Sequence, residues 1–322
     1  MAGALGGVAN DAHAATLRLD NGDVYDGDLL DGKRDGRGTY TWADGSRYEG
    51  EFVQDRMHGE GSFVWADGRR YVGAFANDKR EGKGQLTMLN GDVYEGDFRD
   101  NVMHGRGTFV WANEDTYTGT YVNGRRTGQG SLTWHTGERY TGEFRDGELH
   151  GTGTYTWQDG RRYAGTFDGG VKSGAGEFLW PNGNRYVGQF ADGEREGTGV
   201  FYWRDGTVYR GQFSDNGMHG WGVKQSPDGP AEVQLWQAGE LESSQTLREV
   251  PRCASAHLDR QWMFVSGDCI NGLAHGAGLA VSLDGELIVP EGRFVLGRLV
   301  SGDVLELPGN ERVDAGTQAP QA

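Results

Sequence analysis

The stretch Tyr48-Glu49-Gly50-Glu51-Phe52, Val53 to Met57, then His58-Gly59-Glu60-Gly61-Ser62-Phe63-Val64-Trp65 and Ala66-Asp67-Gly68 decides the fold. In its first five residues Tyr48, Gly50 and Phe52 fall on one face of an extended chain, with Glu49, Glu51 and Val53 on the other. After a turn, Gly59, Gly61, Phe63 and Trp65 share a face opposite Glu60, Ser62 and Val64. Alternation with a period of two predicts strands. The unit therefore reads as a two-stranded hairpin with an aromatic face and a mostly polar face. Asp-Gly pairs ending at Gly45, Gly68, Gly160 and Gly206 are turn signals that pass the chain to the next hairpin.

The stretch recurs. Tyr25, Tyr48, Tyr71, Tyr94, Tyr117, Tyr140, Tyr163, Tyr186 and Tyr209 are each 23 residues apart. Self-similarity at a fixed short period is the mark of a repeat array. Stacking nine units places like residues in columns, one of them running from Phe52 through Phe75 and Phe98 to Phe213. A second column runs from Trp42 through Trp65, Trp111 and Trp134 to Trp203. The paired glycines, such as Gly59 and Gly61, then lie where a bulky side chain would meet the rings. Glycine inside a strand often marks such close approach, and both members of each pair are expected to face the ring columns.

Nine units in register, with Y-x-G-x-F, H-G-x-G, an aromatic pair and D-G, resemble the MORN (membrane occupation and recognition nexus) repeat. The resemblance covers about Asn21 to Gly229. It implies an all-β fold: an elongated, twisted, single-layer antiparallel sheet of stacked β-hairpins with a degenerate C-terminal cap. At two strands per repeat the spacing is about 10 Å per repeat, and stability is expected to add up between neighbouring units. Three covers for the aromatic face are open: the sheet itself, the C-terminal segment or a partner.

The expected organisation is a tail over residues 1–17, disordered or the remnant of a leader, and an array over 18–240. A linker or irregular cover follows over 241–261, then a degenerate cap over 262–307 and a disordered tail over 308–322. In the cap, Val265-Ser266-Gly267-Asp268-Cys269, His275-Gly276-Ala277-Gly278 and Pro290-Glu291-Gly292-Arg293-Phe294 imitate the unit, with Val265 and Pro290 where the array has tyrosine. Terminal repeats are commonly atypical. Cys253 and Cys269 have two readings, a disulfide stapling linker to cap or two small buried hydrophobes in a reducing compartment.

The formal net charge is −16. That balance disfavours nucleic acid, which selects basic patches, and nonspecific binding to anionic membranes. No apolar run is long enough for a transmembrane helix. Localisation is expected to be cytoplasmic or membrane-peripheral, with export to a periplasm as the alternative.

No catalytic constellation emerges. His58, His104 and His150 are two repeats apart and cannot share a zinc ion, whose ligands lie about 2 Å from it. Gly82-Lys83-Gly84 lacks the spacing of a phosphate loop. Some proteins with these repeats carry a kinase or methyltransferase domain beside them, and the roughly 90 residues after Pro230 have no room for one. The sequence thus predicts no enzyme, no cofactor and no metal.

Two functions remain. The leading one, implied by the resemblance, is a non-catalytic scaffold whose aromatic groove binds a protein segment or a second copy of the chain. Trp111, Tyr117, Tyr121, Trp134 and Tyr140 are its candidate contacts, since Tyr and Trp are common binding anchors. The alternative is a peripheral tether that holds phospholipid or phosphoinositide head groups through the arginine column Arg47, Arg70, Arg139, Arg162 and Arg185. Glu49, Glu51, Glu95, Asp97 and Glu143 lie on the same polar face and dilute that column.

Overall fold

Each repeat is built from a seven-residue strand such as Arg47–Val53, a two-residue turn, and a nine-residue strand such as Arg56–Val64. Five connecting residues lead to the next strand, Arg70–Ala76. Seven, two, nine and five residues account for the period of 23. Gln54 and Asp55 both have positive φ (47° and 68°). That is the mirror-image turn whose twist suits a hairpin. The five-residue connection is closed by Trp65, whose amide donates to Arg69 O while its own carbonyl accepts from Gly68 N, each at 2.9 Å. Gly68 holds φ +96°, a conformation that glycine adopts without strain.

The computed structural model describes residues 13–246, 262–264, 268–270, 273–282, 287–295, 298–302 and 304–306. The chain divides into two units, Met1–Glu148 and Leu149–Ala322. In the first, the strands from His13–Arg18 to Arg139–Arg145 form an antiparallel single-layer meander in which each strand pairs with its neighbours in sequence. His13–Arg18 pairs with Val24–Leu30, so strand structure starts inside the span that composition assigns to the tail. Its Ala15 faces Gly27 as Gly38 faces Gly50, which makes this six-residue strand the counterpart of the nine-residue strand in the repeats.

In the second unit a meander of the same kind ends with Ala231–Gln237 paired to Glu240–Thr246, so strand structure runs six residues into the 241–261 stretch that reads as linker. A separate six-stranded antiparallel sheet contains Leu273–Ser282 and Leu287–Val295. Its core holds Ala274, Ala280, Val289 and Phe294. Residues 1–12, 247–261 and 307–322 lie outside the described residues. So do Cys253 and the side chain of Cys269, and with them the disulfide reading.

Candidate interaction surface

The two faces of the sheet are set by a bulge. Gly50 pairs with Gly61, but the next residue, Glu51, pairs with His58, leaving Gly59 and Glu60 unmatched on that side. Against the following strand there is no shift: Gly59, Glu60 and Gly61 face Phe75, Ala74 and Gly73. The bulge turns Gly59, at φ +57°, toward the polar face, where an added Cβ would meet the Glu51 side chain. Only the second glycine of each pair is a packing device against the rings. The expectation for the first glycine fails because it counts an unbroken alternation through the bulge.

On the ring face, Gly38, Gly50, Gly61, Gly73, Gly84, Gly96 and Gly107 form one row across successive strands. A tyrosine ring lies over each adjacent pair. A Cβ on Gly38 would come within 2.5 Å of the Tyr25 ring. The Tyr48 hydroxyl crosses the row and donates to Glu51 O at 3.0 Å and His58 O at 3.3 Å, two carbonyls at the bulge. Tyr71 and Tyr94 donate to Ala74 O and Asp97 O in the same way, at 3.0 and 2.9 Å. The tyrosines from Tyr48 onward are wedged edge-on between two rings, and Tyr25 meets one, Phe52, because Leu29 takes the other place. Tyr48 lies 5.1 Å from Phe52 and 5.0 Å from Phe75 of the next repeat, an arrangement favoured by the ring quadrupole. All nine array tyrosines are fully buried. Burial pushes the phenols of Tyr25, Tyr71 and Tyr117 up to about 12, and those of Tyr48, Tyr94 and Tyr140 higher still.

A column absent from the sequence reading completes this face. Arg34, Met57, Arg80, Met103, Arg126, Leu149, Lys172, Arg195 and Met218 are each 23 residues apart. The cations among them lie on the rings. The Arg80 guanidinium is 5.7 Å from the centres of Trp65 and Tyr71 and 5.4 Å from Phe98, and it donates to Asn101 O at 2.6 Å. Arg34 and Arg126 repeat the arrangement, donating to Asp55 O and Gly147 O. Lys172 spans Tyr163 and Phe178. Burial depresses the pKa of Arg80, Lys172 and Arg195. The ring stack offsets part of that penalty. The signal was in the sequence: cations stand where His58, His104 and His150 are missing from the following position.

These placements divide the candidate contacts. Tyr117, Tyr121 and Tyr140 are buried core residues. Trp111 and Trp134 are half-exposed, as are Trp42, Trp65, Trp157, Trp180 and Trp203. Six of the seven tryptophans in the ladder stack on the aromatic residue two positions before them, as Trp65 does on Phe63 at 4.6 Å and Trp111 on Phe109 at 4.7 Å, while Trp134 has Leu132 there. Small exposed residues, Ala43, Ala66 and Ala112, follow three of these tryptophans, and the Arg69 guanidinium lies 5.0 Å from the centre of the Trp65 ring. The indole N–H groups of Trp42, Trp65 and Trp111 have no acceptor among the described residues.

The arginine column lies on the opposite face and its members differ. Arg47 pairs with Glu49 at 2.9 Å. Arg162 donates to Thr154 Oγ1 at 3.4 Å. Arg185 is half-buried against Glu177 and over Tyr202. Arg70 and Arg139 are exposed and carry no ion pair among the described residues. Among the described residues no cluster of His, Cys, Asp and Glu is placed to hold a metal ion, and no helix is long and apolar enough to cross a membrane.

The MORN repeat family profile matches at 25–47, 48–69, 71–93, 94–116, 117–139, 140–161, 163–185, 186–208 and 209–230. A search of curated proteins gives no match. Among solved structures the chain is similar to the wild-type TCP10 domain of Danio rerio CPAP, at 13% identity over 72% of this chain and 99% of that one, with a TM-score of 0.30. A mutant of the same domain gives 14% identity over 72% and 99%, with a TM-score of 0.32. The SAS-4 TCP domain of Drosophila melanogaster, solved with a proline-rich motif of Ana2, gives 12% over 73% and 97%, with a TM-score of 0.23. Scores of this size fix neither a shared partner nor a shared mode of binding.

Proposed function

The chain belongs to the MORN repeat family, and from that premise we propose that it is a non-catalytic scaffold that holds a protein segment on the tryptophan ridge of its ring face. The observation that carries this reading is the division of the aromatic columns. The tyrosines are consumed as core, whereas one tryptophan in most repeats remains half-exposed. Half-exposed tryptophans backed by a rigid ring stack suit the role of binding anchors. Beside them stand Met57, Arg80, Met103 and Arg126, all partly exposed, which add adaptable and cationic contact area.

In the first unit the anchors of this reading are Trp42, Trp65, Trp111 and Trp134. A phospholipid role for the arginine column has less behind it, since three of its five members are already engaged by their own neighbours. Photo-cross-linking tests the choice. A cross-linking amino acid at Ala66 or Ala112, next to the partly exposed tryptophans, is expected to trap a discrete protein partner in cells, and the same group at Arg139 is not. Adducts only from Arg139, or only to lipid, would overturn the reading.

A further inference from the structure

The face opposite the rings is used differently in the two units. In the second unit, Ala164, Val187, Val200 and Val223 occupy positions on this face and are buried. In the first unit Val72 occupies the register of Val187 and is 38% exposed, against 3% for Val187. Its neighbours there are charged. Glu49 and Glu95 stand where the second unit has Ala164 and Val187, and Lys83 and Arg106 stand where it has Ala175 and Thr198. Apolar residues suit a permanent cover, and charged ones suit a surface that remains wet until a partner arrives.

The open face forms a trough. Two adjoining cavities of about 790 and 820 Å³ share Glu60, Arg70 and Val72. Their floor is the backbone of the glycine row from Gly38 to Gly107, whose Cα positions face the rings on the other side of the sheet. Seven strands at ~4.8 Å spacing make this trough about 29 Å long, the reach of about nine extended residues. Arg37, Arg47, Arg70, Lys83 and Arg106 line it together with Glu49, Glu60 and Glu95. Three of the five cations are already paired, Lys83 with Asp97 at 2.7 Å, Arg47 with Glu49 at 2.9 Å and Arg37 with Glu51 at 3.8 Å. The guanidinium groups of Arg70 and Arg106 have no ion pair among the described residues.

We propose that this glycine-floored trough of the first unit is a second binding surface, separate from the tryptophan ridge, that takes an extended acidic polypeptide segment with Arg70 and Arg106 as its charge anchors. Arg70 and Arg106 are three strands and four residue rises apart. Strand geometry puts them about 19 Å from each other, the span of about six extended residues, so two carboxylates at that separation point to the same side of the bound strand. Carboxylates interleaved among the cations favour a peptide, whose charges are discrete, over a uniformly anionic membrane.

The test uses the full-length protein and a fluorescent ten-residue glutamate-rich peptide, with a lysine-rich peptide, phosphoinositide vesicles and single-stranded DNA as controls. The expected result is saturable, salt-weakened binding of the acidic peptide alone. Arg70→Glu with Arg106→Glu should lower the affinity at least tenfold, and Val72→Glu, which adds a carboxylate where the two cavities meet, should lower it as well. Arg139→Glu, in the same column outside the trough, and Trp65→Ala should leave it unchanged. All the altered trough side chains are exposed, and an unchanged circular dichroism spectrum checks the fold. No saturable binding, equal loss with Arg139→Glu, or preference for vesicles or DNA would overturn the proposal.

Discussion

Gly59 and Gly61 are two residues apart and answer to different constraints. Gly61 lies under the Tyr48 ring, where an added Cβ collides. Gly61→Ala is expected to lower stability by about 1–3 kcal/mol, the usual penalty for overpacking. Gly59 needs a left-handed backbone at φ +57° and only the flexible Glu51 side chain stands in the way. Asparagine tolerates that backbone better than other residues, so Gly59→Asn should stay within about 1 kcal/mol of the parent. Urea unfolding of the two variants checks the contrast, and equal losses would mean that both glycines pack against rings. Tyr71→Phe removes the bond to Ala74 O while keeping the ring, for an expected loss of about 1 kcal/mol.

At the scale of the element, the hairpin and its period were legible because tyrosine, glycine and phenylalanine recur without a slip. The bulge was not legible. It inserts Gly59 and Glu60 on one side only, and the alternation of residue types gives no sign of that. The turn between Val53 and Met57 was legible, but not that its two central residues take positive φ, since the repeats vary there between Gln54 and Asp55, Asn77 and Asp78, and Asp100 and Asn101. The cation column was visible as a period of 23 but was overlooked in favour of the more regular arginines beside the tyrosines. Met57 and Met103 fill the same column as Arg80. Arg80→Met should therefore hold stability within about 1 kcal/mol, whereas Arg80→Ala loses the stem packing and about 1–3 kcal/mol. Thermal melts of both variants decide this, and equal losses would make the guanidinium rather than the stem responsible.

Over the whole molecule, the array tyrosines link stability to alkaline pH. Their phenols are raised in the folded chain by burial, to about 12 at Tyr25, Tyr71 and Tyr117. An unfolded chain releases these protons near pH 10. Stability from these groups is thus fully present below about pH 10 and falls as pH rises toward and through 12. Denaturation midpoints across that range should decline together with the appearance of tyrosinate absorbance. A tyrosinate signal that rises near pH 10 without loss of structure would contradict the burial. The division between the units was readable in part. The change from Glu49 and Glu95 to Ala164 and Val187 stands in the sequence, but it takes a register to place those residues at one position on one face.

The account rests on tyrosines that hold the fold and tryptophans that are spare for contact. The unfolding midpoint in urea of Trp111→Ala against Tyr117→Ala, two changes in neighbouring columns of the first unit, tests it most directly. Tyr117→Ala should lose about 3–5 kcal/mol, as large core truncations do. Trp111→Ala, which removes a half-exposed ring, should lose about 1–2 kcal/mol and keep the native spectrum. Equal losses would place Trp111 in the core and leave the ring face without a surface to offer a partner.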